Sequence, residues 1–517
     1  MSPPGRPEGL SAQLSRSAQR EGTPVNSAIA ADTDVAALLA RLGNPVTRVT
    51  SDSRAVRAGD AFAASPGTQR DGRAFIGDAI ARGAGAVLWD PQGFNWNHAW
   101  QVPQLPLENL KQRLGVIADY VYGHPSRELW MVGITGTNGK TSCAHWIAAG
   151  LQASGRRTAV LGTLGNGMLG ALLPTANTTP DAALLHEMLA EFRRAGADAV
   201  VMEVSSHGLD QGRVNGVTFE VALFTNLTRD HLDYHATMAA YGAAKARLFT
   251  APGLRVSVIN ADDPFGRSLL DTARAKGRKV LSYGFGAADV VGSRMTNSAE
   301  GIGMSVATPW GRGELQTRLV GEFNAMNVLG VLGVLLVSGV ELEAALAFLA
   351  QVEPPPGRMQ RLGGRNAPLV VIDYAHTPDA LEKALTALRP TVARDGELVC
   401  VFGCGGERDR GKRPEMGRLA AKLADRVVVT SDNPRGEDPA AIASEIVHGI
   451  RDVGNRRYAV EDDRALAIAA AIAQAEPGDV VLLAGKGHEA YQERAGERVP
   501  FLDYDHAARA LATRGAQ

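Results

Sequence analysis

The chain has 517 residues, with 54 Lys plus Arg against 55 Asp plus Glu, so its formal net charge at pH 7 is −1. This balance argues against a general binder of nucleic acid or anionic membranes, which needs a basic excess. A composition of 45% hydrophobic and 21% charged residues excludes wholesale disorder. The length predicts about three domains of roughly 150 residues each. Glycine, at 58 residues, is typical here of α/β domains with tight turns after their strands.

The cysteines and the apolar segments indicate where the protein works. Cys143, Cys400 and Cys404 are too few to staple a chain of this size, and their spacing fits no zinc site. Reduced thiols in the cytoplasm fit best. The N-terminus lacks a charged stretch followed by an apolar core, so we expect no signal peptide. Val328–Val340 is too short to span a bilayer and is predicted to be a buried helix.

The first 125 residues are predicted to comprise a tail and a small domain. Residues 1–26 are rich in Pro, Gly, Ser, Arg and Gln without periodicity, which predicts disorder. Residues 27–125 are predicted to form a small α/β domain, with a strand at Val46–Ser51, a helix at Ala74–Arg82 and a strand at Ala84–Trp89.

Two larger α/β domains are predicted to follow, residues 126–356 and 357–517, separated by the linker Pro354–Gly357, because consecutive prolines cannot continue a helix or a central strand. Alternation of strands and helices predicts a largely parallel sheet in each domain. The predicted strands are Met131–Ile134, Thr158–Leu161, Ala197–Val204, Val217–Phe224, Val256–Asn260, Val280–Tyr283, Leu369–Ile372, Leu398–Phe402, Arg426–Thr430 and Val480–Ala484.

The strongest local signal follows the strand Met131–Ile134. Glycines let a backbone wrap a phosphate, amides at a helix start point at its oxygens, and Lys140 adds a charge. Thr141 is placed to ligate Mg²⁺. The strict GxxxxGK[ST] pattern is absent, yet a structural turn would not explain the lysine. We therefore predict a nucleotide-binding loop made of Gly136, Thr137, Asn138, Gly139, Lys140 and Thr141.

Two acidic or histidine-bearing segments end neighbouring strands. Glu203, at the carboxyl end of its strand, lies where open α/β sheets bind ligands. It is either an Mg²⁺ ligand or a charge that faces water. The segment Phe224–His235 concentrates Asp and His, including His231, and is either a metal-binding loop or an ordinary helix-capping loop.

Lys245 lies within the apolar stripe of a predicted helix, four residues after Tyr241. A lysine in a low-dielectric site has a lowered pKa and becomes a neutral nucleophile. Such an amine reacts with CO₂ to form a carbamate, which is an anionic oxygen ligand for a metal. The alternative is a lysine whose stem is buried and whose ammonium reaches water.

Four polar or glycine-rich clusters follow the strands of the third domain: Asp373–Pro378, Gly403–Arg413, Asp432–Arg435 and Gly485–Glu489. The carboxyl ends of parallel strands meet at one edge of a sheet. The clusters are rich in Arg and Glu, which suits a substrate with carboxylate and ammonium groups.

These motifs, in this order, resemble the Mur ligase family from about residue 30 to the end. The resemblance rests on Thr-Gly-Thr-Asn-Gly-Lys-Thr (135–141), Glu-Val-Ser-Ser-His (203–207), Asn-Leu-Thr-Arg-Asp-His-Leu-Asp-Tyr-His (226–235), Lys245, Gly-Glu-Phe-Asn (321–324), Asp-Tyr-Ala-His (373–376) and Asp-Asn-Pro-Arg (432–435). It implies a UDP-binding N-terminal domain, a central P-loop ATPase-type domain and a C-terminal Rossmann-like domain. It also implies a cytoplasmic, monomeric enzyme with no nucleic-acid or membrane partner.

The resemblance implies a reaction as well. ATP would activate the D-glutamate γ-carboxylate of UDP-N-acetylmuramoyl-L-alanyl-D-glutamate as an acyl phosphate, and meso-diaminopimelate would attack it. Asp432–Arg435 resembles the family's signature for diaminopimelate. Rivals are a lysine-adding ligase of the same family, a folylpolyglutamate synthase-like ligase and a scaffold that binds ATP without chemistry.

The site residues that the resemblance implies fall into four groups. The UDP-muramoyl-dipeptide would contact Ser53, Thr68, Gln69, Asn177, Thr178, Thr179, Ser205, Gln211 and Arg213. Beyond the phosphate loop, ATP would contact Asn324, Arg358, Asp373 and His376. Mg²⁺ would be held by Thr141, Glu203, His231 and a carbamylated Lys245. Diaminopimelate would contact Arg408, Asp432, Asn433, Pro434, Arg435, Gly485 and Glu489.

Overall fold

The fold is described from a computed structural model over residues 34–67, 70–298, 301–364, 366–454 and 457–514. The predicted disordered tail, residues 1–26, lies outside these ranges, as do Thr68 and Gln69, two of the residues expected to contact the UDP-muramoyl-dipeptide. Among the described residues, no helix is long and apolar enough to cross a membrane.

The described chain divides into two compact units. The first runs to Val291 and also includes Ala307–Gly311 and Leu329–Ala345. The second comprises Gly292–Val306, Arg312–Val328 and the residues from Leu346 onward.

The first unit begins with a small parallel sheet in the order β1-β2-β3-β4. Alanine, valine and leucine side chains of these strands pack against the flanking helices. The predicted helix and strands between 46 and 89 are therefore confirmed, with shorter bounds. The elements are α1 (34–40), β1 (Val49–Thr50), β2 (Ala61–Ala64), α2 (Ile76–Ala81), β3 (Ala86–Trp89), β4 (Gln104–Pro106) and α3 (Leu110–Val121).

A larger sheet follows in the same unit, with neighbours in the order β11-β10-β9-β5-β8-β6-β7. All pairs are parallel except β6 with β7. The elements are β5 (Trp130–Thr135), α4 (Lys140–Ala153), β6 (Thr158–Gly162), β7 (Gly165–Met168), α5 (Ala182–Arg194), β8 (Ala199–Glu203), α6 (Ser206–Asp210), β9 (Val221–Phe224), α7 (Leu232–His235), α8 (Met238–Ala246), β10 (Val256–Asn260), α9 (Pro264–Ala275) and β11 (Val280–Gly284).

The position of β5 between β8 and β9 matters for function. The loop after β5 lies at the carboxyl ends of three adjacent strands, and in α/β sheets this edge binds ligands. The predicted phosphate loop, Glu203 and the Phe224–His235 segment therefore share one edge of the sheet.

The chain then passes through β12 (Val290–Ser298), β13 (Gly301–Thr308), β14 (Gly311–Thr317), α10 (Glu322–Val337) and α11 (Leu342–Leu349). Helix α10 confirms the buried helix predicted at Val328–Val340, although it begins six residues earlier. The three strands β12–β14 were not predicted.

The second unit contains a six-stranded sheet in the order β15-β16-β20-β17-β18-β19, parallel except for β15 with β16. Alternate residues of β16 face two separate cores, Val371 one and Val370 the other, as the two-residue period of a strand requires. Its elements are β15 (Gln360–Gly363), β16 (Leu369–Asp373), α12 (Pro378–Leu388), β17 (Leu398–Phe402), α13 (Lys412–Leu423), β18 (Arg426–Val429), α14 (Pro439–Asp452), β19 (Tyr458–Val460), α15 (Arg464–Gln474), β20 (Val480–Ala484), β21 (Tyr491–Arg494), β22 (Glu497–Pro500) and α16 (Asp503–Arg514).

The four predicted polar clusters follow β16, β20, β17 and β18, which are neighbours in this sheet. The predicted α/β fold with parallel sheets is thus confirmed. The antiparallel hairpin β21–β22, which follows the last cluster, was not predicted.

Candidate active site

The predicted phosphate loop connects β5 to α4 and has a shape that glycine permits. Gly136 has φ 154° and Gly139 has φ 85°, and a Cβ on Gly136 would lie 1.8 Å from Thr225 Oγ1. Asn226, at the end of β9, holds the loop: its carbonyl accepts from Thr137 N at 2.8 Å and its Oδ1 accepts from Asn138 N at 2.9 Å. The loop is therefore preformed.

Two lysine amines meet at this loop. Lys140 Nζ donates to the carbonyls of Gly136 and Thr137, both at 2.9 Å, and Lys245 Nζ donates to the same Gly136 carbonyl at 2.7 Å. Lys245 is 1% exposed. Burial, and then the charge of Lys140, lower the pKa of Lys245 well below its usual value. The alternative of a lysine whose ammonium reaches water is therefore wrong.

Glu203 contacts Thr141, the last residue of the loop. It is 1% exposed, so a charge facing water is excluded. Thr141 Oγ1 donates to its Oε2 at 2.9 Å, and Thr163 N donates to its Oε1 at 2.8 Å. A buried hydroxyl and carboxylate in contact form an oxygen donor pair of the kind that Mg²⁺ prefers. This donor chemistry fits the predicted cation.

His231 lies in a ring cluster beside the loop. It immediately precedes α7 with a left-handed backbone, φ 52°, and its ring centroid is 4.9 Å from that of His207 and 6.1 Å from that of Tyr241. Burial lowers the pKa of His231, and burial together with the His231 and His235 charges lowers the pKa of His207 to about 4. Neutral imidazoles at pH 7 can act as ligands. Among the described residues, however, no group of three or more His, Cys, Asp or Glu side chains is arranged to hold a metal.

The candidate dipeptide residues assemble behind Glu203. Thr179 Oγ1 donates to the Glu203 carbonyl at 2.9 Å and accepts from Ser205 N at 3.0 Å. Arg213 donates from Nη1 to the Thr179 carbonyl at 2.7 Å and from Nη2 to Gln211 Oε1 at 2.8 Å. These four residues form one hydrogen-bonded group.

The remaining candidate residues of the first unit, Thr178, Asn177 and Ser53, lie outside this hydrogen-bonded group. Thr178 Oγ1 is 3.1 Å from Thr163 Oγ1, and the Asn177 carbonyl accepts from Thr175 Oγ1 at 3.0 Å. Ser53 lies in a short 3₁₀ helix, Ser53–Ala55, that Asp52 caps. No described contact joins Ser53 to the dipeptide group.

In the second unit, the loops after β18 and β20 meet. Asn433 Nδ2 donates to Glu489 Oε2 at 2.8 Å, and Lys486 Nζ donates to Asn433 Oδ1 at 3.1 Å and to Glu489 Oε2 at 3.0 Å. Asp432 is buried, and a Cβ on Gly485 would lie 2.6 Å from its Oδ2. The structure thus brings Asp432, Asn433, Gly485 and Glu489 together, as predicted.

Arg435 is held by the hairpin and by the loop after β17. Its backbone N–H donates to the Glu493 carbonyl at 3.0 Å, and its Nη1 donates to the Gly406 carbonyl at 2.8 Å. The Pro434 carbonyl lies against Gly406. Arg408, in contrast, is exposed, and its guanidinium donates to the neighbouring Glu407 carbonyl at 3.1 Å.

The candidate ATP contacts of this unit form a second group. Asp373 Oδ2 accepts from Met359 N at 2.8 Å, and burial raises the pKa of Asp373. The guanidinium of Arg358 stacks 4.5 Å from the Tyr374 ring centroid, and His376 Nδ1 is 2.8 Å from the Tyr374 carbonyl. Asn324 stands apart: it is buried in α10 and donates to the Val320 carbonyl at 2.9 Å.

Sequence reasoning missed two residues of these groups. Thr163 contacts Glu203 through both its backbone and its hydroxyl, and nothing in its neighbourhood in the chain marks it. Lys486 stood inside a recognised cluster without a role. Its place between two glycines after an apolar strand was the available signal.

The fold and these groups define the class. Three family models match the chain: the Mur ligase family catalytic domain over residues 45–122, the Mur ligase middle domain over 134–335 and the Mur ligase glutamate ligase domain over 357–487. The chain belongs to the Mur ligase family.

Within that family, the chain is similar to proteins that share one name. A protein of Chromobacterium violaceum named UDP-N-acetylmuramoyl-L-alanyl-D-glutamate–2,6-diaminopimelate ligase is 54% identical over 93% of this chain and 97% of its own length. A protein of the same name from Nitrosomonas europaea is 47% identical over 90% and 93%. A solved structure bearing that name has 37% identity and a TM-score of 0.68, and covers 92% of this chain and 96% of its own.

More distant structures share the fold alone. A folylpolyglutamate synthase of Mycobacterium tuberculosis aligns with a TM-score of 0.58 at 24% identity, over 71% of this chain and 91% of its own.

Proposed function

We propose that the protein is an ATP-dependent ligase that joins meso-diaminopimelate to the D-glutamate of UDP-N-acetylmuramoyl-L-alanyl-D-glutamate. The relatives at 54% and 47% identity carry that name. The observation that carries the proposal is the meeting of the loops after β18 and β20, where Arg435 and the Asn433–Glu489 pair present a cation and a carboxylate in one unit. A diamino diacid needs both.

The domains divide the three substrates. Residues 27–125 hold the UDP, residues 126–356 the ATP and residues 357–517 the amino acid. Thr178, Thr179, Ser205, Gln211 and Arg213 hold the dipeptide, and Ser53, Thr68, Gln69 and Asn177 complete the nucleotide-sugar contacts. Asn324, Arg358, Asp373 and His376 contact ATP.

The chemistry proceeds in two steps. An oxygen of the D-glutamate γ-carboxylate attacks the γ-phosphorus of ATP, the bond to the β-phosphate oxygen breaks, and ADP leaves. The neutral amine of the amino acid then attacks the acyl carbon, and phosphate departs with the bonding pair. The amine proton passes to solvent or to a neighbouring base.

The phosphate loop assists the first step by position and charge. Phosphoryl transfer depends mainly on electrostatic stabilisation of oxygens that are already aligned. Lys140, whose amine lies at the loop, and the loop amides would stabilise the transferring group, and the Thr141–Glu203 pair would hold Mg²⁺. When bound, Mg²⁺ neutralises phosphate charge.

Lys245 acts as a carbamate. Its buried amine has a lowered pKa and therefore a larger neutral fraction, which is the form that reacts with CO₂. The product would place an anion beside the Lys140 ammonium, which is a favourable charge contact, and would supply oxygen ligands for Mg²⁺. His231 would be a further Mg²⁺ ligand.

The enzyme works in the cytoplasm, where ATP and UDP-linked precursors are made, and as a monomer, without nucleic-acid or membrane partners. These assignments complete the proposal.

Phosphate release by the purified enzyme tests it. ATP, Mg²⁺ and the UDP-muramoyl-dipeptide are supplied with meso-diaminopimelate or L-lysine in parallel, and a separate reaction supplies ATP, Mg²⁺ and a folate acceptor with L-glutamate. We expect release only with meso-diaminopimelate, and amide product of matching mass. Preference for lysine would contradict the proposed amino-acid substrate. Use of glutamate on a folate acceptor would favour the folylpolyglutamate-type activity. ATP binding without phosphate release would indicate a scaffold that carries out no ligase chemistry.

A further inference from the structure

Lys486 is a fully buried cation in the loop after β20. Its amine donates to Asn433 Oδ1 at 3.1 Å and to Glu489 Oε2 at 3.0 Å, and lies 5.6 Å from the centroid of the Tyr491 ring. An ammonium withdrawn from water is stable only where acceptors replace its hydration. The three partners come from two loops and the hairpin, so this amine joins separate segments.

Lys486 fixes the orientation of the Asn433 amide. An ammonium can only donate, so the atom of Asn433 that faces it must be the oxygen. That oxygen also accepts from Glu493 N at 3.0 Å. The amide nitrogen is thereby turned toward Glu489, to which it donates at 2.8 Å.

The same contacts leave one oxygen of Glu489 for a ligand. Lys486 and Asn433 both donate to Oε2, and among the described residues no group donates to Oε1. The side chain is 20% exposed, and an ionised carboxylate has room for about four hydrogen bonds. An incoming ammonium can therefore bind Oε1 without displacing the internal contacts.

The network also reaches Arg435. Glu493 donates its N–H to Asn433 and accepts at its carbonyl from Arg435 N at 3.0 Å. The carboxylate of Glu489 and the backbone of Arg435 are thus tied to one frame through Asn433 and Glu493, while the Arg435 guanidinium is held by the Gly406 carbonyl.

We propose that Lys486 is a positioning residue for the amino-acid substrate: it holds Glu489 and Asn433 so that Glu489 Oε1 meets the substrate ammonium while Arg435 meets the distal carboxylate. Being fully buried, Lys486 acts through Glu489 and does not touch the substrate. The inference rests on the proposed function, in which these loops bind the amino acid.

Steady-state kinetics of Lys486→Met test the proposal. We expect the KM for meso-diaminopimelate to rise about tenfold or more, the cost of one charge-assisted hydrogen bond, with the KM values for ATP and the nucleotide within about twofold of wild type. Lys486→Arg, which keeps the charge, should give a smaller rise. Lys422→Met, at an exposed lysine of α13, is the matched control and should behave as wild type.

Two further measurements separate positioning from folding. Acyl phosphate formed without amino acid and trapped by hydroxylamine should be undiminished in Lys486→Met. In a Glu489→Gln background, Lys486→Arg should add little to the KM, because the residue on which it acts is already altered.

An unchanged KM for the amino acid, additive effects in the double variant, or loss of acyl phosphate in step with overall activity would each overturn the proposal. Loss of the folding transition in both Lys486 variants would do so too, by giving the lysine a folding role. Wild-type protein without diaminopimelate-dependent phosphate release would instead contradict the proposed function.

Discussion

Lys140 and Lys245 donate to the same carbonyl oxygen, that of Gly136, at 2.9 and 2.7 Å. Two ammonium groups that share one acceptor repel each other, and the charge of Lys140 contributes to the lowered pKa of Lys245. An anion between or beside them relieves this repulsion. Either a substrate phosphate or a carbamate on Lys245 can supply it, and the proposed enzyme uses both.

We expect small carboxylates added to the assay to restore part of the activity lost when Lys245 is replaced by alanine. Lys245→Ala should lower kcat by at least about 10³-fold, comparable to the loss of one major electrostatic stabiliser. Because the missing group is a carboxylate-like anion, formate or acetate should restore part of the activity in a concentration-dependent manner. Lys245→Arg keeps a cation and fills the space, so it should show no rescue. Rescue by chloride at equal ionic strength would contradict the interpretation.

The Thr141 hydroxyl is expected to set the Mg²⁺ requirement. It donates to Glu203 Oε2 at 2.9 Å, so its removal deprives the carboxylate of an orienting partner and the cation of an oxygen. Thr141→Ala should raise the Mg²⁺ concentration for half-maximal activity by roughly 10–100-fold, the usual effect of losing such a partner. Thr141→Ser retains the hydroxyl and is the control. Equal Mg²⁺ midpoints in the two variants would argue against a metal at this pair.

Arg435 is expected to determine amino-acid choice. Arg435→Ala should raise the KM for meso-diaminopimelate about 10–100-fold, since it removes a charge-assisted bond to the distal carboxylate. Arg498 provides a matched control, because its Nε and that of Arg435 both lie 3.8 Å from Glu493 Oε2, but its side chain is 64% exposed. Arg498→Ala should change the KM less than about twofold. Similar effects of both substitutions would indicate a general electrostatic influence.

The Arg464–Asp503 pair is expected to matter for stability. Both side chains are fully buried, and the guanidinium donates to the two carboxylate oxygens at 2.7 and 2.6 Å. Asp503→Ala should lower the free energy of unfolding by about 3–5 kcal/mol because it leaves a buried charge unpaired. The pair Arg418 and Asp452, with side chains 39% exposed, gives the comparison.

Denaturant unfolding measures both effects. Asp452→Ala should cost at most about 1 kcal/mol, and the double variant Arg464→Met/Asp503→Leu should recover most of the loss. A double variant as unstable as Asp503→Ala would contradict the explanation by an unpaired charge.

Much of this fold could be predicted because its strands are short apolar runs buried on both faces. The gathering of the four polar clusters also followed from a rule, since parallel strands place their carboxyl ends at one edge. The strands β12–β14 and the hairpin β21–β22 escaped prediction because polar residues interrupt their alternation, and β22 is exposed at all four positions.

The burial of individual charges could not be predicted. For Glu203, at a strand end, the sequence left open whether it is a metal ligand or a charge facing water, and Lys486, between glycines, had no assigned role. Their burial depends on Thr163 for Glu203, and on Asn433, 53 residues away, for Lys486. Local sequence does not report such distant partners. For Lys245, in contrast, the helical stripe indicated a buried stem, although it left open whether the ammonium reaches water.

The hairpin has a consequence for engineering. Arg435 N donates to the Glu493 carbonyl at 3.0 Å and the Arg435 carbonyl accepts from Ala495 N at 2.7 Å. The backbone that carries the arginine is therefore bridged, through both its N–H and its carbonyl, to a segment 58 to 60 residues further along the chain. A transplant of Asp432–Arg435 alone into a lysine-adding relative would transfer these four residues without the hydrogen bonds that hold the Arg435 backbone. We expect the amino-acid preference to be transferred between ligases only when Asp432–Arg435 and the segment from Gly485 to Pro500 are exchanged together.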